Sequence, residues 1–214
     1  MTSDPLSREQ IVRVAVELLD AEGVDGLSMR RLAGRIGAGA TSLYWYVRSK
    51  EELVALAADA VFGEVGLPDP GREGWRAAAG TMARGLRATV LRHPWLPLVA
   101  ASQPVVGPAT ARYTDHAFAV FRAAGFTGAD LVRASNALVA LVYGTTLSEA
   151  TTNQGAPPRE EPPDPAGETA IPSPRLRDRS DGAARDPSFE FGLRTVLDGL
   201  EARLTGPAAD ADRP

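Results

Sequence analysis

Between Gly37 and Lys50 the chain reads GAGATSLYWYVRSK, a stretch whose side chains can hold a polyanion. Tyr44 and Tyr46 carry hydroxyls able to donate to phosphate oxygens, and Lys50 brings a point charge to the same kind of atom. Thr41 and Ser42 can donate to a phosphate or a base edge, and the Thr41 methyl can meet a thymine methyl. Just upstream, the guanidinium fork of Arg30 matches O6 and N7 of guanine. Ser28 can both cap a helix and donate to phosphate. Arg31 and Arg35 supply general positive charge, or else a solvated face. Trp45 has two open readings: packing beneath its element, or covering sugar and backbone atoms. Leu43 and Val47 read as core.

The charge distribution supports this chemistry. The 214 residues sum to −4, yet Arg30, Arg31, Arg35, Arg48 and Lys50 fall between residues 26 and 50 with no acid among them, leaving −9 for the remainder. A basic stripe on an acidic body is the footprint of a surface that meets an anion.

Other chemistries find no support. GAGATS begins like a dinucleotide-binding loop but lacks the third glycine and follows a helical pattern instead of a strand. No G-x-S-x-G, H-E-x-x-H or Cys/His cluster occurs, and His93 and His116 stand too far apart in sequence to make a catalytic case alone. With no cysteine there is no disulfide framework or thiolate metal site. The apolar runs are short for a membrane span, and the first residues lack signal-peptide character. The expectation is a non-enzymatic, cytoplasmic protein with no membrane partner, cofactor or bound metal.

These residues need scaffolding, and the pattern is helical throughout, without strand alternation. Ser7 and Gln10 form a capping box before Ile11, Val14, Ala15, Leu18 and Leu19, and Gly23 ends that helix. Ser28 caps a second helix, Met29 to Ile36, stopped by Gly37. A short third helix is expected over Thr41–Val47, and Ser49-Lys50-Glu51-Glu52 opens a fourth running to about Val65. Helix, short Gly-containing turn, short helix is the helix-turn-helix pattern, whose second helix enters the DNA major groove. Beyond Pro68-Asp69-Pro70 longer helices follow, over about 74–93, 108–124, 129–152 and 187–204. Seven prolines and many charges between Asn153 and Asp186 read as a mobile loop. The organisation is therefore all-α: residues 1–65 a three-helix head with a connecting helix, residues 66–214 a larger ligand-binding and dimerisation body.

The string LSMRRLAGRIGAGATSLYWYVRSKEELVALA resembles the DNA-binding head of the tetracycline-repressor (TetR) family of bacterial regulators, with Leu43 to Val47 and Lys50 its most specific part. Trp75, the Gly125-Phe126 turn, the loop and FEFGLRTVLDGLEARL resemble the body of the Tet repressor subgroup. The resemblance implies base reading by Arg30. It departs from the tetracycline repressor where Ala40 replaces a base-reading glutamine and Thr41 a proline, so that operator does not carry over.

The family resemblance also implies a small-molecule pocket in the body, with effector binding pivoting the connecting helix. Candidate lining residues are Met82, Leu86, His93, Gln103, Tyr113, His116, Asn136, Tyr143 and Glu149. Met82 and Leu86 lie one turn apart and also fit plain core. His116 and Asn136 are the preferred polar anchors, since a buried polar group needs a partner. Met82 and Leu86 stand where the tetracycline repressor has polar contacts, which implies a more apolar effector and no obligatory Mg²⁺, although His93, His116 and Glu149 leave metal binding open.

So short a reading helix calls for two copies about 34 Å apart, hence a two-fold homodimer on double-stranded DNA. The helices over 129–152 and 187–204 are its expected seam, or else monomer core. The expected function is a ligand-responsive repressor; a small-molecule carrier with a vestigial head is the rival.

Overall fold

The computed structural model describes residues 6–153 and 186–205. The loop expected over 153–186 lies almost wholly outside the described residues. Among these there are helices and no strand.

The first helix, α1 (Arg8–Gly26), starts where Ser7 Oγ accepts a hydrogen bond from the Gln10 amide at 3.1 Å. Its helical conformation breaks at Gly23, whose φ of 69° is left-handed and costs glycine little. Ser28 caps α2 (Met29–Ile36) by accepting from the Arg31 amide, and Gly37 at φ 75° terminates it. Then come α3 (Ala40–Leu43) and α4 (Lys50–Phe62), the latter capped by Ser49 Oγ on the Glu52 amide at 3.1 Å. Glu52 turns back to accept from the Arg48 amide at 2.6 Å and binds Arg8 at 3.0 Å, so one carboxylate pins the starts of α1 and α4 together. Ile11, Leu18, Leu27, Leu32, Leu43, Val47 and Leu53 close the core of this head.

The third helix is shorter than the expected Thr41–Val47. After Leu43 the chain makes a tight turn, with the Tyr46 and Val47 amides both donating to the Leu43 carbonyl at 2.9 and 3.0 Å. Three aromatic residues in a row are indifferent helix formers. Leu43 and Val47 are both fully buried, so the turn is anchored at each end while the trio between them faces outward.

The body comprises α5 (Pro70–Glu73), α6 (Trp75–Arg92), α7 (Leu96–Ser102), α8 (Pro108–Ala124), α9 (Gly128–Asn153) and α10 (Pro187–Thr205). Helix α6 is its axis, packed against α8, α9 and α10. Met82, Leu86, Val90, Val120, Phe121, Leu138, Val142, Phe189 and Leu193 fill the interior. Trp75 packs at a tilt against Phe121 and edge-on against Phe126, with centroids 6.4 and 6.5 Å away. Buried Arg87 bonds Glu149 at 2.7 Å and lies over the Phe189 ring at 5.0 Å, which satisfies its charge inside the bundle. Helix α9 is not buried all round: Val132, Asn136, Ala140 and Gly144, spaced four apart, form an exposed stripe.

Candidate functional site

The aromatic trio projects from the head. Tyr44, Trp45 and Tyr46 are all exposed, Trp45 by 87%. Its packing beneath the short helix is thereby excluded. A single exposed ring would be unremarked, but three adjacent ones form a contiguous apolar patch, the kind of surface that marks an interaction site. Arg30, Thr41 and Ser42 are exposed, while Ser28, Ala40 and Lys50 are half-buried. Ser28 and Arg30 belong to the start of α2, Ala40, Thr41 and Ser42 to α3 and Lys50 to the start of α4, the elements on either side of the trio in the chain.

Arg31 differs from Arg30. It is bound to Glu22 through both ends of its fork, and its Nη1 donates to the Gly26 carbonyl at 3.1 Å. Its guanidinium braces the α1–α2 corner, so direct contact with an anion would first have to break that pair.

The nine body candidates do not gather at one place. Met82 and Leu86 are buried in the α6 core. Asn136 is a correction: it lies on the exposed stripe of α9, facing away from the interior of the body, so it is not the buried polar anchor expected there. His116 is a second correction, because its Nε2–H donates to the Pro68 carbonyl and so already has the partner assigned to a ligand. Gln103 donates to the Glu51 carbonyl at 3.4 Å, at the start of α4. Glu149 is taken up by Arg87, with Asp186 of α10's leading edge also on that guanidinium at 3.3 Å. Burial raises the pKa of Glu149, and its hydrogen bond with Asp186 adds to this, against the opposing pull of Arg87.

His93 belongs to a joint between head and body. Its Nδ1 lies 2.7 Å from Asp20 Oδ1 on α1, and its Nε2 lies 3.3 Å from Glu64 Oε2 just past α4. Trp95 Nε1 donates to the same Asp20 oxygen at 2.7 Å, and Arg92 binds Glu64 at 2.7 Å. A few residues earlier on α4, buried Asp59 caps α8: its Oδ1 accepts from the amide and the hydroxyl of Thr110, both at 2.8 Å, and its Oδ2 from the Ala109 amide at 3.4 Å. A carboxylate at a helix N-terminus meets free amides and the positive dipole end together.

Asp20, Asp59 and Glu64 escaped the sequence reading. Asp59 alone left a trace, as an acid inside the apolar stripe of α4; the other two look like surface charges until their distant partners are known.

Tyr113 and Tyr143 are the two candidates left facing the interior. Tyr113 on α8 is 6% exposed, with its ring 5.5 Å from that of Phe62 on α4; Tyr143 on α9 is half-buried. Separately, a surface groove of about 460 Å³ runs between the start of α6 and α10, with Trp75, Leu193 and Leu197 along it. None of the nine candidates lines that groove.

With this arrangement in place, likeness to known proteins decides the family. Residues 67–204 match the tetracyclin repressor-like C-terminal domain, and residues 11–57 match the bacterial regulatory proteins of the tetR family. The chain belongs to the TetR family. This TetR-family chain is 38% identical over 210 residues to the HTH-type transcriptional repressor DrrR1 of Streptomyces coeruleorubidus, covering 92% of this chain and 77% of that one. It is 43% identical over 148 residues to an HTH-type transcriptional regulator of Saccharopolyspora erythraea, a match spanning 69% of this chain and 63% of the relative. Among solved structures, ActR of Streptomyces coelicolor in complex with actinorhodin superposes with a TM-score of 0.74 at 29% identity, covering 95% of this chain and 100% of that one. The TetR-family chain is thus a transcriptional regulator and not an enzyme, with a helix-turn-helix head on a larger helical body. No helix among its described residues is long and apolar enough to cross a membrane.

Proposed function

We propose that this regulator is a repressor that binds a two-fold-symmetric DNA operator as a dimer and is released by a small, largely apolar molecule. The observation that carries the reading is the outward aromatic trio beside exposed Arg30, on a head whose core is already closed without them. Aromatic area and cations presented together on a rigid turn suit a sugar–phosphate backbone, with Arg30 reading guanine. The relative DrrR1 is a transcriptional repressor by name, which supports the sign of the effect.

Two features support the dimer. Helix α9 exposes its small-residue stripe, and α10 exposes Phe191 by 68% with Thr195 and Gly199 on the same side. A bulky knob beside a flat helical face is suited to a second copy packing across a two-fold axis.

How α4 is held supports release by an effector. Its start is bonded to α1, its middle caps α8, and its end meets α6. A shift of α8 or α6 therefore reaches the head through short polar contacts instead of a flexible linker. The effector acts by population shift, favouring the arrangement in which the two heads no longer fit one operator; a coupling of about 1–3 kcal/mol is enough for a useful switch. ActR, solved with actinorhodin, is a relative in which a small molecule occupies such a fold.

The test is fluorescence anisotropy of the purified protein on labelled DNA from upstream of its own gene, against a scrambled duplex at two salt concentrations. Selective binding of two chains per site is the expected result. Equal, steeply salt-dependent affinity for both duplexes would mean a basic stripe without a reader, and no binding to either duplex would favour a carrier.

A further inference from the structure

Tyr113, buried on α8, and Tyr143, half-buried on α9, carry hydroxyls that the fold leaves without a protein partner. Among the described residues neither hydroxyl makes a hydrogen bond, in a body where Arg87, Glu149, His116 and Thr146 all do. A buried phenol in a close-packed core normally finds an acceptor, because leaving the group unpaired costs about 1–3 kcal/mol. The two residues stand on α8 and α9, helices that pack against each other.

Resting on the effector reading above, we infer that Tyr113 and Tyr143 are the polar end of the effector site, and that the effector is an uncharged molecule with an apolar body and a carbonyl-type hydrogen-bond acceptor. Phenol hydroxyls left open are donors first, and what they lack is an acceptor. The ring of Phe62 and the flanking apolar side chains of α8 supply the remainder of the lining. Burial pushes the Tyr113 phenol well up and that of Tyr143 up to about 12, so both stay neutral donors across the physiological range. Neutral donors in a low-dielectric setting do not compensate the lost hydration of a carboxylate, which sets an anionic effector at a disadvantage.

The location links this site to the head. Phe62, against Tyr113, is the last residue of α4, one turn beyond Asp59 at the α8 N-terminus and two residues before Glu64 at the His93 joint. A molecule seated on Tyr113 presses on the end of α4, whose start carries Lys50 and is bonded to α1.

Three probes share one ring system. 9-Fluorenone has a carbonyl acceptor, fluorene has none, and 9-fluorenone-4-carboxylate adds a charge. Calorimetric titration of the DNA-free protein is expected to show fluorenone binding at least tenfold tighter than fluorene and than the carboxylate. In Tyr113→Phe/Tyr143→Phe, which keeps both rings and therefore the packing, fluorenone and fluorene should bind within threefold of each other. Circular dichroism and the thermal midpoint confirm that this variant folds. Equal binding of fluorenone and fluorene to the parent, discrimination that survives in the double variant, preference for the carboxylate, or no saturable binding of either neutral probe would each overturn the assignment. DNA anisotropy on the same samples separates the two readings. Probe discrimination without any change in DNA affinity upholds the site and counts against effector release.

Discussion

Asp20 Oδ1 on α1 lies 2.7 Å from His93 Nδ1 at the end of α6, and the same oxygen accepts from Trp95 Nε1 at 2.7 Å. One carboxylate of the head thus satisfies two buried rings of the body. Asp20→Ala leaves both donors unpaired in a site where His93 and Trp95 are almost completely buried, a loss of about 2 kcal/mol by urea denaturation. Asp20→Asn keeps an accepting oxygen and should lose less. Equal losses for the two variants would show that acceptance at this oxygen is not what holds the joint.

Asp59 and Gly107 form a second joint, from α4 to α8. Asp59→Ala removes every side-chain cap from the α8 N-terminus and should lower stability by about 2 kcal/mol. Gly107 has an extended φ of 178° that any residue can adopt, so its requirement is spatial: a Cβ there would overlap the Asp59 carboxylate. Gly107→Ala should therefore reproduce most of the Asp59→Ala loss, and in the Asp59→Ala background it should add little. Additive losses from the pair would refute a shared cause.

Trp45 separates contact from packing in one substitution. Because the indole is almost fully exposed, Trp45→Ala should move stability by no more than about 0.5 kcal/mol. Affinity for the operator should fall about tenfold, a change of about 1.4 kcal/mol. A clear drop in thermal midpoint with unchanged DNA binding would return Trp45 to the core.

Glu64 gives the end of α4 an acid dependence. Burial alone would raise its pKa, but hydrogen bonds from Arg92 and His93 outweigh this and hold it below the usual glutamate value of 4.5. A depressed carboxylate stabilises the fold above its unfolded pKa, and that contribution disappears as the pH falls through the lower folded value. The stability difference between parent and Glu64→Gln should hence be full at pH 7 and shrink below about pH 4.5. A difference that stays constant from pH 7 to pH 3 would show that the Glu64 charge contributes nothing.

The head was legible because its determinants are local. Ser7, Ser28 and Ser49 each cap an amide three residues on, and Gly37 ends α2 through its own φ. Such interactions need no knowledge of the remaining chain, and they also fixed the helices of the body and the basic stripe. The length of α3 was misjudged because local propensity there is weak and the burial of Leu43 and Val47 decided it. The body site was harder still. Tyr113 and Tyr143 were candidates by type alone, alongside Asn136 and His116, which packing placed on the outer face of α9 and against the Pro68 carbonyl.

The sequence by itself determined an all-helical chain with a cationic, aromatic turn on a small head, because periodicity, caps and charge are properties of neighbouring residues. Tertiary structure alone decided that Asp59 meets Thr110 across 51 positions and Asp20 meets His93 across 73. It decided, too, which phenols remain unpaired. A side chain's partner depends on the angle and depth at which its helix packs, and no residue carries that information until the other helices are in place.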